Sequence, residues 1–155
     1  MSEQASINRF RGEFAWLSNF WPVTVKLVGR DFYPTVEHAY QAAKFEDADC
    51  RRAIRCAKTP RAARYLAREY AKLGLQRQDW RKVNVRIMAD LLWQKFSKPK
   101  LCASLLATKP REIIEGNVHG DEFWGVDLRT GCGENNLGKL LMRVRKRLSK
   151  ADRVL

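Results

Sequence analysis

Apolar residues recur at three- and four-residue intervals over much of this chain and alternate with polar ones only briefly, so the pattern is mainly helical with a small β component. Between Asp47 and Phe96 the helical period dominates. Thr59-Pro60 reads as an N-cap followed by proline at the first helical position. Ala62, Ala63, Leu66, Ala67 and Tyr70 then form a buried stripe that Gly74 ends. Asp79 is placed to cap the next helix, whose apolar residues are Trp80, Val83, Ile87, Met88, Leu91 and Leu92. Leu101–Leu106 predicts a short helix before Lys109-Pro110. Leu137–Leu148 predicts an amphipathic one, with Leu140, Leu141, Val144 and Leu148 inside and a basic outer face. Alternation at Val23, Val25 and Leu27 predicts a strand, and Gly29-Arg30 turns the chain back into Asp31–Tyr33 as a hairpin. Ile7–Phe10 and Ile113-Ile114 suggest further brief strands.

The hairpin feeds the most informative segment, Tyr33 to Phe45. Pro34 biases Tyr33 toward extended backbone, Thr35 is a good N-cap, and the alanine-rich run that follows predicts a helix from Val36. At 100° per residue Glu37, Gln41 and Lys44 fall in one sector, beside an apolar stripe of Val36, Ala39, Tyr40 and Ala43. Glu37 lies in the first turn, where the helix dipole favours a carboxylate. Two readings fit: a solvated charged face, or a face that carries chemistry.

With 155 residues and 45% hydrophobic content, the chain can bury one core, so a single globular domain over 1–155 is expected. No apolar run approaches the ~20 residues of a membrane span and no secretory leader precedes the domain, which predicts a soluble, cytoplasmic protein with no membrane partner. Cys50, Cys56, Cys102 and Cys132 form no C-x-x-C pair, and only His38 and His119 accompany them. Reduced, mostly buried thiols are expected, with neither a zinc site nor a disulfide framework. The net charge of +13 changes the picture more. Residues 1–46 balance, whereas 51–86 hold twelve Lys or Arg against Glu69 and Asp79. Such a block suits an anionic partner, nucleic acid or a phosphorylated small molecule, and equally a solvated helical surface.

Two further stretches stand out. Phe14, Trp16, Phe20 and Trp21 crowd a short region around Ser18 and Asn19. Most of these aromatics suit core or lid packing, but a hydroxyl and an amide among them could orient a sugar or base. The segment Gly116–Gly138 is glycine-rich and runs into the last helix. It could cradle phosphate or simply connect, and it lacks the Walker Gly-Lys-Ser/Thr.

Taken together these stretches resemble the NADAR, or YbiA-like, family. The matching residues are Phe10, the Leu17-Ser18-Asn19-Phe20 loop, Tyr33-Pro34-Thr35, Glu37-His38, Tyr40-Gln41, Lys44-Phe45, Trp80 with Met88, Trp124-Gly125, and Gly131, Gly133, Asn135 and Gly138. The resemblance implies an α+β, mainly helical single domain with a small β-sheet, and cleavage of N-glycosidic bonds. Its members act on phosphoribosylamino-pyrimidine intermediates of riboflavin synthesis or on ADP-ribose attached to guanine in DNA or RNA. On this basis Glu37 would stabilise an oxocarbenium-like ribosyl cation, and Lys44 would bind phosphate or trap an opened ribose aldehyde as a Schiff base. Asn19 and Asn135 would orient ribose or base, while Phe20, Trp80 and Trp124 would wall the pocket, with Ser18, Gln41 and Gly125 as further binding positions. No cofactor and no metal are needed. The partner is a phosphorylated ribosyl small molecule, with ADP-ribosylated nucleic acid the alternative that the charge favours. A non-catalytic ADP-ribose sensor needs no carboxylate at the anomeric carbon, and a plain nucleic-acid-binding module leaves Glu37 unexplained.

Overall fold

The computed structural model describes residues 5–27, 29 and 31–151, so Arg30 of the anticipated turn lies outside the described residues. The chain forms two compact units, a central one from Asn19–Lys95 and a terminal one from Met1–Ser18 with Phe96–Leu155.

In the central unit β1 (Val25–Lys26) pairs antiparallel with β2 (Phe32–Tyr33), Val25 opposite Tyr33, as the alternating pattern predicts. α1 (Val36–Ala42) follows, with Thr35 Oγ1 accepting from the His38 backbone N–H at 3.1 Å. α2 (Ala48–Arg55), α3 (Pro60–Lys72) and α4 (Trp80–Phe96) complete the unit, α4 passing one residue beyond it. Asp47 caps α2 and Thr59 caps α3, their side chains accepting from Cys50 N and Ala62 N. After α3 the N–H of Gly74 bonds to Ala71 O and that of Leu75 to Tyr70 O, the two carbonyl-satisfying bonds of a Schellman turn. Gly74 is the residue there at positive φ, +77°. Asp79 directly precedes α4, but its carboxylate is held by Arg77 through bonds of 2.6 and 2.9 Å.

The two readings of the Glu37 helix resolve against a solvated face. α1 packs against α2, α3 and both hairpin strands, and all seven of its residues are buried, Glu37 and Gln41 among them. The helix is also shorter than its propensity suggests. Lys44 N bonds to Gln41 O in a tight turn, and the Arg77 N–H takes Lys44 O at 2.8 Å. With Phe45 bridged to Gln76, these bonds draw the chain out of the helix, and Lys44 stands in the turn beyond it. His38 ties α1 down: its Nε2 donates to Ala57 O at 3.1 Å and its Nδ1 lies 2.8 Å from Thr35 Oγ1.

In the terminal unit the first part of the aromatic stretch, with Phe14 and Trp16, forms a 3-10 helix, Gly12–Leu17. Trp16 meets Phe96 edge-on at 6.1 Å. The strands expected at Ile7–Phe10 and Ile113-Ile114 reduce to one parallel bridge, Ile7 with Ile113, because the flanking backbone finds no second partner strand among the described residues. α5 (Pro99–Ala107) packs on α6 (Asn136–Ala151), and β3 (Gly116–Asn117) pairs parallel with β4 (Val126–Asp127). α6 buries Leu137, Leu140, Leu141, Val144 and Leu148. Arg145 departs from the predicted basic outer face: it is buried, and its Nη1 donates to Thr108 Oγ1 and to Arg111 O, each at 2.8 Å. All four cysteines are free thiols, but only Cys50 is buried, while Cys56 and Cys132 are exposed, contrary to the mostly buried set expected. Among the described residues no helix is long and apolar enough to cross a membrane.

Candidate active site

Glu37 is the centre of the central unit's polar interior. Its side chain is 4% exposed and receives two donors, Gln41 Nε2 at 2.7 Å and Arg64 Nε at 2.9 Å. Both meet Oε1, and Oε2 takes no hydrogen bond from the described residues. One carboxylate oxygen is thus anchored and the other is unengaged among the described residues. The Gln41 bond follows from the first-turn position of Glu37, since residues four apart on a helix face each other. Arg64 comes from α3 and has its guanidinium over the Phe20 ring at 5.0 Å.

A carboxylate oxygen can only accept, so Gln41 must turn its amide nitrogen toward Glu37 and its carbonyl away. That carbonyl oxygen, Oε1, is buried without a hydrogen-bond partner, and so is Asn19 Oδ1. The Asn19 amide nitrogen faces Met88 Sδ at 3.6 Å, while its backbone oxygen accepts from Glu37 N at 3.0 Å. Buried amide oxygens left unpaired cost roughly 1–3 kcal/mol each, and this unit holds two of them among its described residues.

Lys44 lies against two aromatic faces, its Nζ 5.5 Å from the Tyr40 ring and 5.7 Å from the Trp80 ring, and these rings meet each other at 5.0 Å. Burial pushes the Lys44 ammonium below the ordinary lysine value; the Glu37 carboxylate opposes that shift, and the Arg64 and Arg68 guanidiniums add to it. Trp80 is buried at the start of α4, with its ring beside Lys44. Asn19, Phe20, Glu37, Gln41, Lys44 and Trp80 are thereby brought together in one unit.

Ser18, Trp124, Gly125 and Asn135 belong to the terminal unit. The Asn135 side chain is fully engaged, donating to Ile113 O and accepting from Glu115 N, each at 3.0 Å. Trp124 lies edge-on to Phe123 at 5.0 Å, and its N–H donates to Asp121 Oδ1 at 2.9 Å. A side chain on Gly125 would put its Cβ 2.1 Å from Glu115 O. The phosphate-cradle reading of this loop fails on hydrogen bonding. The N–H groups of Glu134, Asn135, Asn136 and Leu137 already bond to the carbonyls of Glu122, Gly125, Phe123 and Trp124.

Sequence reasoning missed the individual roles of Arg64 and Arg68. Their four-residue spacing puts them on one face of α3, but nothing local says that the face meets Glu37. Lys95 was missed too: it is fully buried near the end of α4, and burial takes its amine down to about 7. Among the described residues no group of His, Cys, Asp and Glu is arranged to hold a metal.

Known proteins are similar to this chain in sequence and fold. Escherichia coli N-glycosidase YbiA is 37% identical over 88% of this chain and 83% of its own. The NMR structure of E. coli YbiA superposes with a TM-score of 0.82 at 34% identity, covering 97% of this chain and 89% of that one. A riboflavin biosynthesis protein of Vibrio vulnificus is 38% identical over 87% of this chain, which spans only 36% of that longer protein. The model of the NADAR domain matches residues 8–149, a span that takes in Glu37, Lys44 and the glycine loop alike, and the chain belongs to the NADAR family.

Proposed function

We propose that this protein is an N-glycosidase that hydrolyses the C1′–N bond of a phosphoribosylamino-pyrimidine, as in riboflavin synthesis. The observation that carries the reading is Glu37: a buried carboxylate with one oxygen anchored by Gln41 and Arg64 and the other unengaged. Departure of the nitrogen leaves positive charge on the ribose ring, and a fixed carboxylate in a water-poor site stabilises that charge without having to reorganise. The bond between C1′ and nitrogen breaks with its electron pair going to nitrogen. Water adds to C1′, giving up one proton to Glu37 and from there to the departing amine, so the products are the free aminopyrimidine and ribose phosphate. Asn19 Oδ1 and Gln41 Oε1, both without donors, accept from ribose hydroxyls or base amino groups. Lys44, with Arg64 and Arg68 near it, receives the phosphate.

The names of the relatives support the same reading, N-glycosidase for E. coli YbiA and riboflavin biosynthesis for the Vibrio protein. A second substrate, ADP-ribose on guanine of a nucleic acid, is favoured by the net charge of +13. Incubating the protein with each substrate and resolving the products by mass spectrometry tests both. Free pyrimidine with ribose phosphate is the expected result. Release of ADP-ribose alone moves the assignment to the second substrate. Tight binding of both without any product makes the domain a sensor and overturns the enzyme reading.

A further inference from the structure

The basic block at 51–86 drew attention in the sequence, yet half of its twelve cations are already engaged. Arg52, Arg55, Arg64, Lys72 and Arg77 pair with Asp49, Asp31, Glu37, Glu69 and Asp79. Arg51 donates to the carbonyls of Phe45 and Glu46. α6 is different. Its sequence from Asn136 to Ala151 contains no acidic residue. Lys139, Arg143, Lys146, Arg147 and Lys150 are all exposed, and at 100° per residue they fall within a sector of about 100°. The side chains of Lys139, Arg143, Lys146 and Lys150 make no hydrogen bond or ion pair with the described residues. Lys109, also exposed, reaches Ser149 Oγ at the flank of this row and adds a further cation.

We propose that the outer face of α6 is a docking surface for the phosphodiester backbone of a nucleic acid, read without sequence preference. A row of cations with no carboxylate among them repels itself and gains from any closely spaced series of anions, because condensed counterions leave the polyanion as each contact forms. From Lys139 to Lys150 the helix rises about 16 Å at ~1.5 Å per residue. That length matches four or five steps along the axis of a duplex, at ~3.4 Å of axis per phosphate of one strand. An anionic membrane surface fits less well. An interfacial helix inserts an apolar face, but the apolar side of α6 is consumed by the core of its unit through Leu137, Leu140, Leu141, Val144 and Leu148. Its exposed residues from Lys139 to Lys150 are all cationic, so there is no aromatic ring on the stripe for base stacking either, and backbone contact alone remains. The surface does not depend on the glycosidase reading, and its failure leaves that reading untouched.

The test is fluorescence anisotropy of a labelled single-stranded oligonucleotide of mixed sequence titrated with the intact protein over a salt series. Binding should weaken linearly in log–log form as salt rises. K139Q/R143Q/K146Q/K150Q should bind at least tenfold more weakly, with its salt slope reduced by about 3, since each phosphate contact on a single strand contributes roughly 0.7. R52Q/K58Q/R61Q, which removes three exposed cations of the other block, should change affinity less than twofold. The half-sets K139Q/R143Q and K146Q/K150Q should each lose about half of the slope, which keeps the result readable if the quadruple variant folds poorly. No binding by the wild type in low salt, equal losses from both blocks, or binding to anionic vesicles but not to oligonucleotide would each overturn the proposal.

Discussion

The two motif-rich stretches of this chain, Tyr33–Phe45 and Gly116–Gly138, use their polar groups in opposite ways. In the first, a carboxylate keeps an oxygen unengaged, two amide oxygens have no donor, and a partly buried lysine lies against aromatic rings. In the second, polar side chains hold their own loop. Asn117 donates to Asp121 O and Val126 O and accepts from the N–H groups of His119 and Asp121. Asp121 receives the N–H groups of Phe123 and Trp124. The glycines do related work: on Gly125 and Gly138 an added Cβ would come within 2.1 and 2.2 Å of backbone oxygens. The first stretch keeps acceptors unengaged, whereas the second spends much of its hydrogen-bonding capacity on holding its own shape.

Substitutions can break that contrast, and the largest effect is expected at Glu37. Glu37→Gln should lower turnover by roughly a thousandfold or more, since an amide keeps the shape but cannot offset a developing cation. The melting temperature should move little, because the half-exposed Arg64 side chain can turn to water. Comparable turnover in a folded variant would remove Glu37 from the chemistry.

Lys44→Ala should cost on the order of a hundredfold, and pH separates its two roles. The folded amine loses its proton below the ordinary lysine range. If the ammonium clamps phosphate, kcat/KM falls as pH rises through that lowered value; if the free amine attacks an opened ribose aldehyde, the rate rises over the same window. Borohydride added during turnover should trap a ribosyl adduct on Lys44 only in the second case, as mass spectrometry would read.

In the glycine-rich stretch the damage should go to stability. Asn135→Ala removes both bonds to Ile113 and Glu115 at a residue with φ of +53°, which alanine tolerates poorly. About 2–4 kcal/mol of unfolding free energy should be lost, measured by urea denaturation, with KM nearly unchanged in the fraction that stays folded. Loss of kcat without loss of stability would move Asn135 into the chemistry.

The smallest effect concerns Asp127. The Arg129 side chain bonded to it holds its carboxyl down to about 2. Because the folded value lies below the unfolded one, this contribution is present at neutral pH, begins to fade near pH 4 and is gone below about 2. Asp127→Asn should therefore flatten the acid limb of the stability–pH curve and leave the neutral region of the pH–rate profile unchanged.

Local rules made much of this legible. Thr35 and Thr59 cap the helices that follow them, Gly74 stops α3, and the hairpin pairing agrees with alternation at Val25. Glu37 and Gln41 could be paired on paper because a helix brings residues four apart together. What could not be read were features created by packing between distant segments. The Arg64–Glu37 pair spans 27 positions, Arg77 pulls Lys44 off the helix through a backbone bond, and Arg145 turns inward to Thr108 from a helix whose other cations face water. The glycine loop misled for a related reason, since a phosphate cradle and a self-satisfied loop have the same composition and differ only in where the N–H groups point.

The divided origin of the Glu37 clamp has a consequence for the order of folding. Gln41 belongs to the same helix turn as the carboxylate and can pair with it as soon as α1 forms, within the sub-microsecond to microsecond times typical of helix formation. Arg64 arrives only when α3 has docked, and closing the intervening chain is a slower, long-range event. During refolding, helical circular dichroism at α1 should therefore return before catalytic competence does. The lag between the two signals would time the docking of α3 on α1.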